Sequence, residues 1–237
     1  MKILAVAFAY NEAKYIEDFI KFYRRQGCDI YVADNHSTDG TTEILQKHKV
    51  KSDIVYTGGA FDLIKLQAAL ISSIKTINPD WVVYTGIDIR YCLEGTIKDE
   101  IGKVDDCNMI GVQHYNMYAT GEKFELPMYR RFFYGRKGNR LYMIAKNEES
   151  LSFEADSIQL KKKIIYESDG CLLNYGNCKP AAEREDTYRR RQKAWDRGLD
   201  HNYGVHYKEG HTRCWLWDSA EMTDVRQTDH WKYISKL

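Results

Sequence analysis

The sequence predicts one α/β domain built on a mixed sheet with helices on its faces. Across the first 115 residues short apolar runs alternate with longer amphipathic ones, the pattern of βαβ units around a parallel sheet covered on both sides. Beyond that point several segments alternate apolar with polar residues, as antiparallel strands do. Neither an internal repeat nor a Pro/Gly-rich linker divides the 237 residues, so 1–115 and 116–237 are expected to be halves of the same domain.

Ile3–Ala9 is a continuous apolar run and reads as a buried strand. Asn11 is placed to cap the helix that follows, whose apolar side carries Tyr15, Ile16, Phe19, Ile20 and Tyr23 and which Gly27 ends. Ile30–Ala33 is the next strand, ending at Asp34, and the polar turn Asn35–Gly40 leads into a short helix over Thr41–Lys47. Ile54–Thr57 reads as a third strand. After Gly58-Gly59 comes a helix over Asp62–Ile77, with Leu63, Leu66, Leu70 and Ile74 on one side; Asn78-Pro79 stops it, and Trp81–Tyr84 is a fourth strand. In the second half Met109–Gln113, Tyr129–Tyr134, Leu141–Ala145, Ile158–Ile165 and Cys171–Leu173 read as strands. Pro180–Arg197 reads as a helix, with Pro180 in its first turn and Gly198 at its stop.

Composition narrows the function classes. With 35 Lys+Arg against 34 Asp+Glu the net charge is +1, which argues against a chain that coats nucleic acid and against an acidic disordered tail. The 18 tyrosines suit stacking on sugars or bases, and equally a core with polar tips. None of the six cysteines stands in a C-x-x-C pair, so buried free thiols are expected rather than a zinc site. The apolar run Ile3–Tyr10 is too short to span a bilayer and leads directly into Asn11-Glu12, so a cytoplasmic protein without a membrane span is expected.

In open α/β sheets ligands bind at the carboxyl ends of the strands. Three polar clusters fall there: Ala9-Tyr-Asn-Glu12, Asp34-Asn-His-Ser-Thr-Asp-Gly-Thr41 and Thr85-Gly-Ile-Asp-Ile-Arg90. A carboxylate after the second strand can accept hydrogen bonds from a base or ribose, and one after the fourth can hold a hard divalent cation against a diphosphate. An Asp at a strand end is also a common turn former.

The order Leu4–Glu12, helix, Ile30–Thr41 resembles the opening of family 2 glycosyltransferases of the GT-A fold, in which one strand runs into N-E and the next ends in D-(D/N)-x-S-x-D-G-T. The likeness covers residues 3–91. It implies a Rossmann-like GT-A sheet, with residues 1–115 binding a nucleotide-sugar donor and 116–237 facing the acceptor. It further implies that Phe8, Tyr10 and Glu12 line the nucleotide pocket, and that Asp34 and Asn35 contact a base, usually uracil. Asp80–Asp88 is similar to the strand that carries the family's D-x-D motif; Gly86 replaces the first Asp, and Asp88 keeps the second, implying a Mg²⁺ or Mn²⁺ ligand. A metal-independent variant using Arg or Lys for the diphosphate stays open. Gln67 stands where many relatives carry R-N.

Inverting transfer needs a base for the acceptor hydroxyl and positive charge on the departing diphosphate. The nearest approximations to the family's E-D are Glu154-Ala-Asp156 and Glu167-Ser-Asp169, giving Asp156 as the candidate base with Asp169 as rival. The segment Tyr188–Gly198 is rich in arginine, and Arg189 and Arg191 are the candidate phosphate ligands. Tyr203–Tyr207 resembles a late H-Y element of related enzymes and makes His206 the candidate second metal ligand. Asn174–Asn177 and Trp215, Trp217 and Trp231 are candidates for the acceptor side. The reading is therefore a metal-assisted, inverting transfer from a UDP-sugar to a saccharide or other hydroxyl acceptor. A sugar nucleotidyltransferase and a non-catalytic nucleotide or carbohydrate binder stay open as alternatives, as do a nucleic-acid acceptor and the oligomeric state.

Overall fold

The computed structural model describes residues 1–118, 134–154, 157–198 and 223–237. In chain order these form β1 (Ile3–Ala9), α1 (Ile16–Arg25), β2 (Asp29–Asp34), α2 (Thr41–Lys47), β3 (Lys51–Ile54), α3 (Leu63–Ile77), β4 (Trp81–Tyr84), β5 (Ile89–Cys92) and α4 (Ile97–Gly102). There follow β6 (Met109–Tyr118), β7 (Tyr134–Lys146), β8 (Ser152–Glu154), β9 (Ser157–Gln159), β10 (Ile165–Asn174), α5 (Ala181–Asp196), β11 (Thr223–Asp224) and α6 (Trp231–Ile234). One mixed sheet runs β3-β2-β1-β4-β7-β6-β10-β5, with β11 paired to β7; β8 and β9 form a separate hairpin. The β1, β2, β3 and β4 ladders are parallel, while β7 runs antiparallel to both β4 and β6. This is the expected mixed α/β architecture.

Burial explains why the first half folds as the sequence suggests. β1 and β4 are central and almost wholly buried, so their side chains are apolar on both faces. α1 buries Ile16, Phe19, Ile20, Phe22 and Tyr23. α3 is capped by Asp62, whose carboxylate accepts from the Lys65 amide at 3.1 Å. Gly198 stands at φ 67° just beyond α5, a left-handed stop that costs glycine little.

Three expectations are corrected. Asn11 does not cap α1; it sits at φ 54° and its side chain accepts from the Thr38 amide instead. The third strand is Lys51–Ile54, not Ile54–Thr57, because the register with β2 ends at Asp34–Ile54; Ile54 and Tyr56 are 60% and 70% exposed. Ile158–Ile165 is not one strand: β9 ends at Gln159 and β10 begins at Ile165. β5, α4 and β8 have no counterpart in the sequence reading. Of the segment 129–134, only Tyr134 lies among the described residues.

The described cysteines, Cys28, Cys92, Cys107, Cys171 and Cys178, are free and buried, as expected; Cys214 lies outside the described residues. No described helix is long and apolar enough to cross a membrane.

Candidate active site

The polar residues at the tips of β1 and β2 knit their loops together. Three successive amides of the first loop donate into the second: Asn11 to Ser37 Oγ (2.9 Å), Glu12 to Thr41 Oγ1 (2.8 Å) and Ala13 to Asp39 Oδ2 (2.9 Å). Asp34 is fully buried, and such a carboxylate needs its lone pairs filled. Its Oδ1 accepts from the amide and hydroxyl of Ser37, and its Oδ2 from the Thr42 hydroxyl at 2.5 Å. Asn35 ties in the loop after β3, accepting from the Thr57 hydroxyl at 2.7 Å and donating to the Ala60 carbonyl at 3.1 Å. These bonds fix the direction in which Glu12 leaves the sheet.

A cleft of about 550 Å³ opens over the carboxyl ends of β1 and β4, with α5 lining one side and β6 and β10 another. Phe8 packs edge-to-face against Phe61 and Tyr84, with ring centroids 6.2 and 5.9 Å away. Asp88 stands on the turn between β4 and β5. Beneath that turn the buried Arg90 donates to the carbonyls of Ile87 (2.9 Å) and Ile89 (2.8 Å) and pairs with Asp18 at 2.6 Å. Two glycines flank the Asp88 carboxylate. A Cβ at residue 86 would lie 2.9 Å from Asp88 Oδ1, and one at residue 176 would lie 3.0 Å from Oδ2.

Lys179, just after the short 3₁₀ turn Gly176–Cys178, reaches into this acidic corner. Its Nζ donates to Glu12 Oε1 (2.7 Å) and Oε2 (2.9 Å) and lies 3.4 Å from Asp88 Oδ2 and 4.9 Å from the Tyr15 ring centroid. Burial pushes the Glu12 carboxyl up to about 7; the Lys179 charge works against that rise, and the Asp88 charge adds to it. Burial also works against the Lys179 ammonium, but attraction to Glu12 and then Asp88 outweighs it and raises its pKa.

α5 supplies the cationic wall. The Arg190 guanidinium carbon lies 3.2 Å from the Tyr10 ring centroid, and that of Arg191 lies 5.3 Å from the Phe61 centroid. Arg190 is 8% exposed, and its Nε and Nη2 have no hydrogen-bond partner among the described residues. The base of α5 is fastened to α1, where the Tyr15 hydroxyl donates to Glu183 at 2.5 Å. Farther along, the Phe61 amide donates to the Arg190 carbonyl at 3.3 Å.

The family model for glycosyl transferase family 2 matches residues 5–171. The chain belongs to glycosyl transferase family 2. Uncharacterised proteins of Mycobacterium tuberculosis and Mycobacterium bovis are 26% identical to it, over 60% of this chain and 40% of theirs. The chain thus spans well under half the length of these curated relatives. Among solved structures, S. aureus TarS in complex with UDP matches with a TM-score of 0.40 at 20% identity, over 55% of this chain and 40% of that one. HddC from Yersinia pseudotuberculosis matches with a TM-score of 0.45 at 12% identity, over 81% of this chain and 99% of that one.

Of the residues that the family 2 likeness singles out, Phe8, Tyr10, Glu12, Asn35 and Asp88 all line the cleft. Asp34 lies beneath it, committed to Ser37 and Thr42. Arg191 lines the cleft; Arg189 is exposed and does not. Asp169 is exposed on β10, away from the cleft lining. Asp156, His206, Trp215 and Trp217 lie outside the described residues. Among the cleft residues that the sequence did not single out are His114 and Asn116 on β6, Lys179, and Arg190. Arg190 stood inside the arginine cluster already noted, whereas nothing local marks Lys179. Among the described residues no group of three or more His, Cys, Asp or Glu side chains is placed to hold a metal. An ion on Asp88 Oδ2 would have to share that oxygen with the Lys179 ammonium, so the described donors do not fit one.

Proposed function

We propose that this chain binds a nucleotide-sugar donor, with UDP as its nucleotide, and transfers the sugar to a hydroxyl acceptor with inversion. The observation that carries this reading is a buried arginine on the wall of an aromatic-lined cleft at the strand tips, its Nε and Nη2 without a hydrogen-bond partner among the described residues, in a chain of family 2. Phe8, Phe61 and Tyr10 offer ring surface to a base, and Asn35 lies at the same end. Arg190 and Arg191 offer planar donors to a diphosphate, where a guanidinium fork makes paired bonds.

In the transfer, the acceptor oxygen forms a bond to the anomeric carbon from the face opposite the diphosphate. The carbon–oxygen bond to the diphosphate breaks, its electron pair going to the departing phosphate oxygen, and the acceptor proton passes to a base. Among the described residues, the carboxylates and imidazole lining the cleft are Glu12, Asp88 and His114. The cationic wall offsets charge on the leaving diphosphate, an effect realised most fully in the transition state.

A thermal-shift panel of nucleoside diphosphates and nucleotide sugars tests the reading. UDP and a UDP-sugar are expected to raise the melting temperature, since a ligand that binds only the native state stabilises it. A panel in which no nucleotide shifts it defeats the proposal. Gly86, in place of the first Asp of D-x-D, keeps a non-catalytic binder as the second reading; release of UDP from a UDP-sugar without acceptor excludes it.

A further inference from the structure

Glu12 and Asp88 form an acidic corner, and Asp88 is the residue that the family 2 likeness implies as a ligand of a divalent cation, yet here a side chain of the protein already lies between the two carboxylates. Lys179 Nζ bonds both oxygens of Glu12 and approaches Asp88 Oδ2 at 3.4 Å, with the three side chains only 12%, 16% and 21% exposed in the order Lys179, Glu12, Asp88. We propose that the Lys179 ammonium is the resident cation of this pair and supplies to the donor's diphosphate the positive charge that a divalent ion would otherwise bring. This rests on the donor reading above, and it names the group that makes transfer independent of metal.

Three features of the chain support it. Lys179 is placed by the 3₁₀ turn that ends at Cys178, and the preceding strand end is tied to the turn of Asp88 by the Tyr175 amide, which donates to the Asp88 carbonyl at 2.9 Å. The ammonium therefore follows Asp88 rather than floating on a free stem. Gly86 removes the second carboxylate that a D-x-D chain would bring, and with it much of the charge that would favour a dication over an ammonium. Lys179 itself lines the cleft, together with Glu12 and Asp88.

The test uses the whole chain. Mn²⁺ is titrated by electron paramagnetic resonance, first alone and then with saturating UDP, each against the same solution without protein, and the wild type is expected to lower the free-ion signal no further than its protein-free control. By calorimetry, UDP affinity in EDTA and in Mn²⁺ is expected to agree within about threefold, whereas Lys179→Met in EDTA weakens it about tenfold or more, the worth of one charge-assisted bond. Uptake of one Mn²⁺ per wild-type chain overturns the proposal. So does a tenfold gain in UDP affinity with Mn²⁺, or an unchanged affinity in a folded Lys179→Met chain. The wild-type arms need no variant, so they decide the matter even where Lys179→Met fails to fold. UDP that binds under neither condition removes the donor reading, while the Mn²⁺ titration still decides whether Lys179 keeps the corner.

Discussion

At the scale of single residues, Arg190 combines burial with unused bonding capacity. Leaving buried polar groups unsatisfied costs about 1–3 kcal/mol each, so an arginine kept this way on the wall of a cleft is suited to an anion that arrives later. Arg190→Met is expected to weaken UDP binding about tenfold to a hundredfold, the effect of losing hydrogen bonds to a charged group. Arg189→Ala, on the exposed side of the same helix, is expected to change it by less than about threefold; isothermal titration of both variants reads the contrast, and equal losses would refute the distinction. The arginine cluster was legible in the sequence, but which of its members face the cleft was not. An apolar stripe normally fixes a helix's phase, and α5 carries charged residues around most of its circumference. Its orientation is set instead by the Tyr15–Glu183 and Phe61–Arg190 bonds, which no periodicity reveals.

At the scale of elements, legibility follows how much of a strand's character is local. β1, β2 and β4 are continuous apolar runs and read directly. β5 was hidden because Arg90 interrupts it; that arginine is buried only because Asp18 on α1 and two carbonyls receive its charge. β3 was displaced because pairing with β2, rather than its own apolar residues, decides where it lies. β5 pairs with β10 at Cys92–Cys171, next to a bulge between Glu167 and Cys171. Gly170 in that bulge packs so closely that an added Cβ would meet Leu93 Cδ2 at 2.4 Å and the Cys92 carbonyl at 2.9 Å. Gly170→Ala is therefore expected to destabilise the chain by about 1–3 kcal/mol through overpacking. Thr96→Ala removes the capping box of α4, in which Thr96 Oγ1 accepts from the Asp99 amide at 3.1 Å, and is expected to cost about 1 kcal/mol. Urea midpoints at constant slope measure both, and a Gly170→Ala chain as stable as the wild type would show that the bulge has room.

At the scale of the whole molecule, the two halves of the chain meet at Glu12 and Lys179, 167 residues apart. The N-E and S-T-D-G-T segments were legible because their bonds link loops that are close in sequence. The lysine was not, because its partners are set by where β10 ends against β5. The burial of Glu12 at that contact makes stability depend on pH in a definite direction. The Glu12 carboxyl ordinarily titrates near 4.5 and is raised to about 7 in the folded chain, chiefly by burial. Between those values the folded chain holds a proton that the unfolded chain has lost, so the stabilisation is complete below about pH 4.5 and disappears as pH rises through 7. A rise of this size corresponds to on the order of 3 kcal/mol. Glu12→Gln cannot ionise, so the stability of the wild type relative to this variant is expected to fall by that order between pH 4.5 and 8. Urea unfolding of both chains across that range measures the difference, with groups that titrate alike in both cancelling. A difference that stays flat across that range means that attraction to Lys179 matches or outweighs the effect of burial on Glu12.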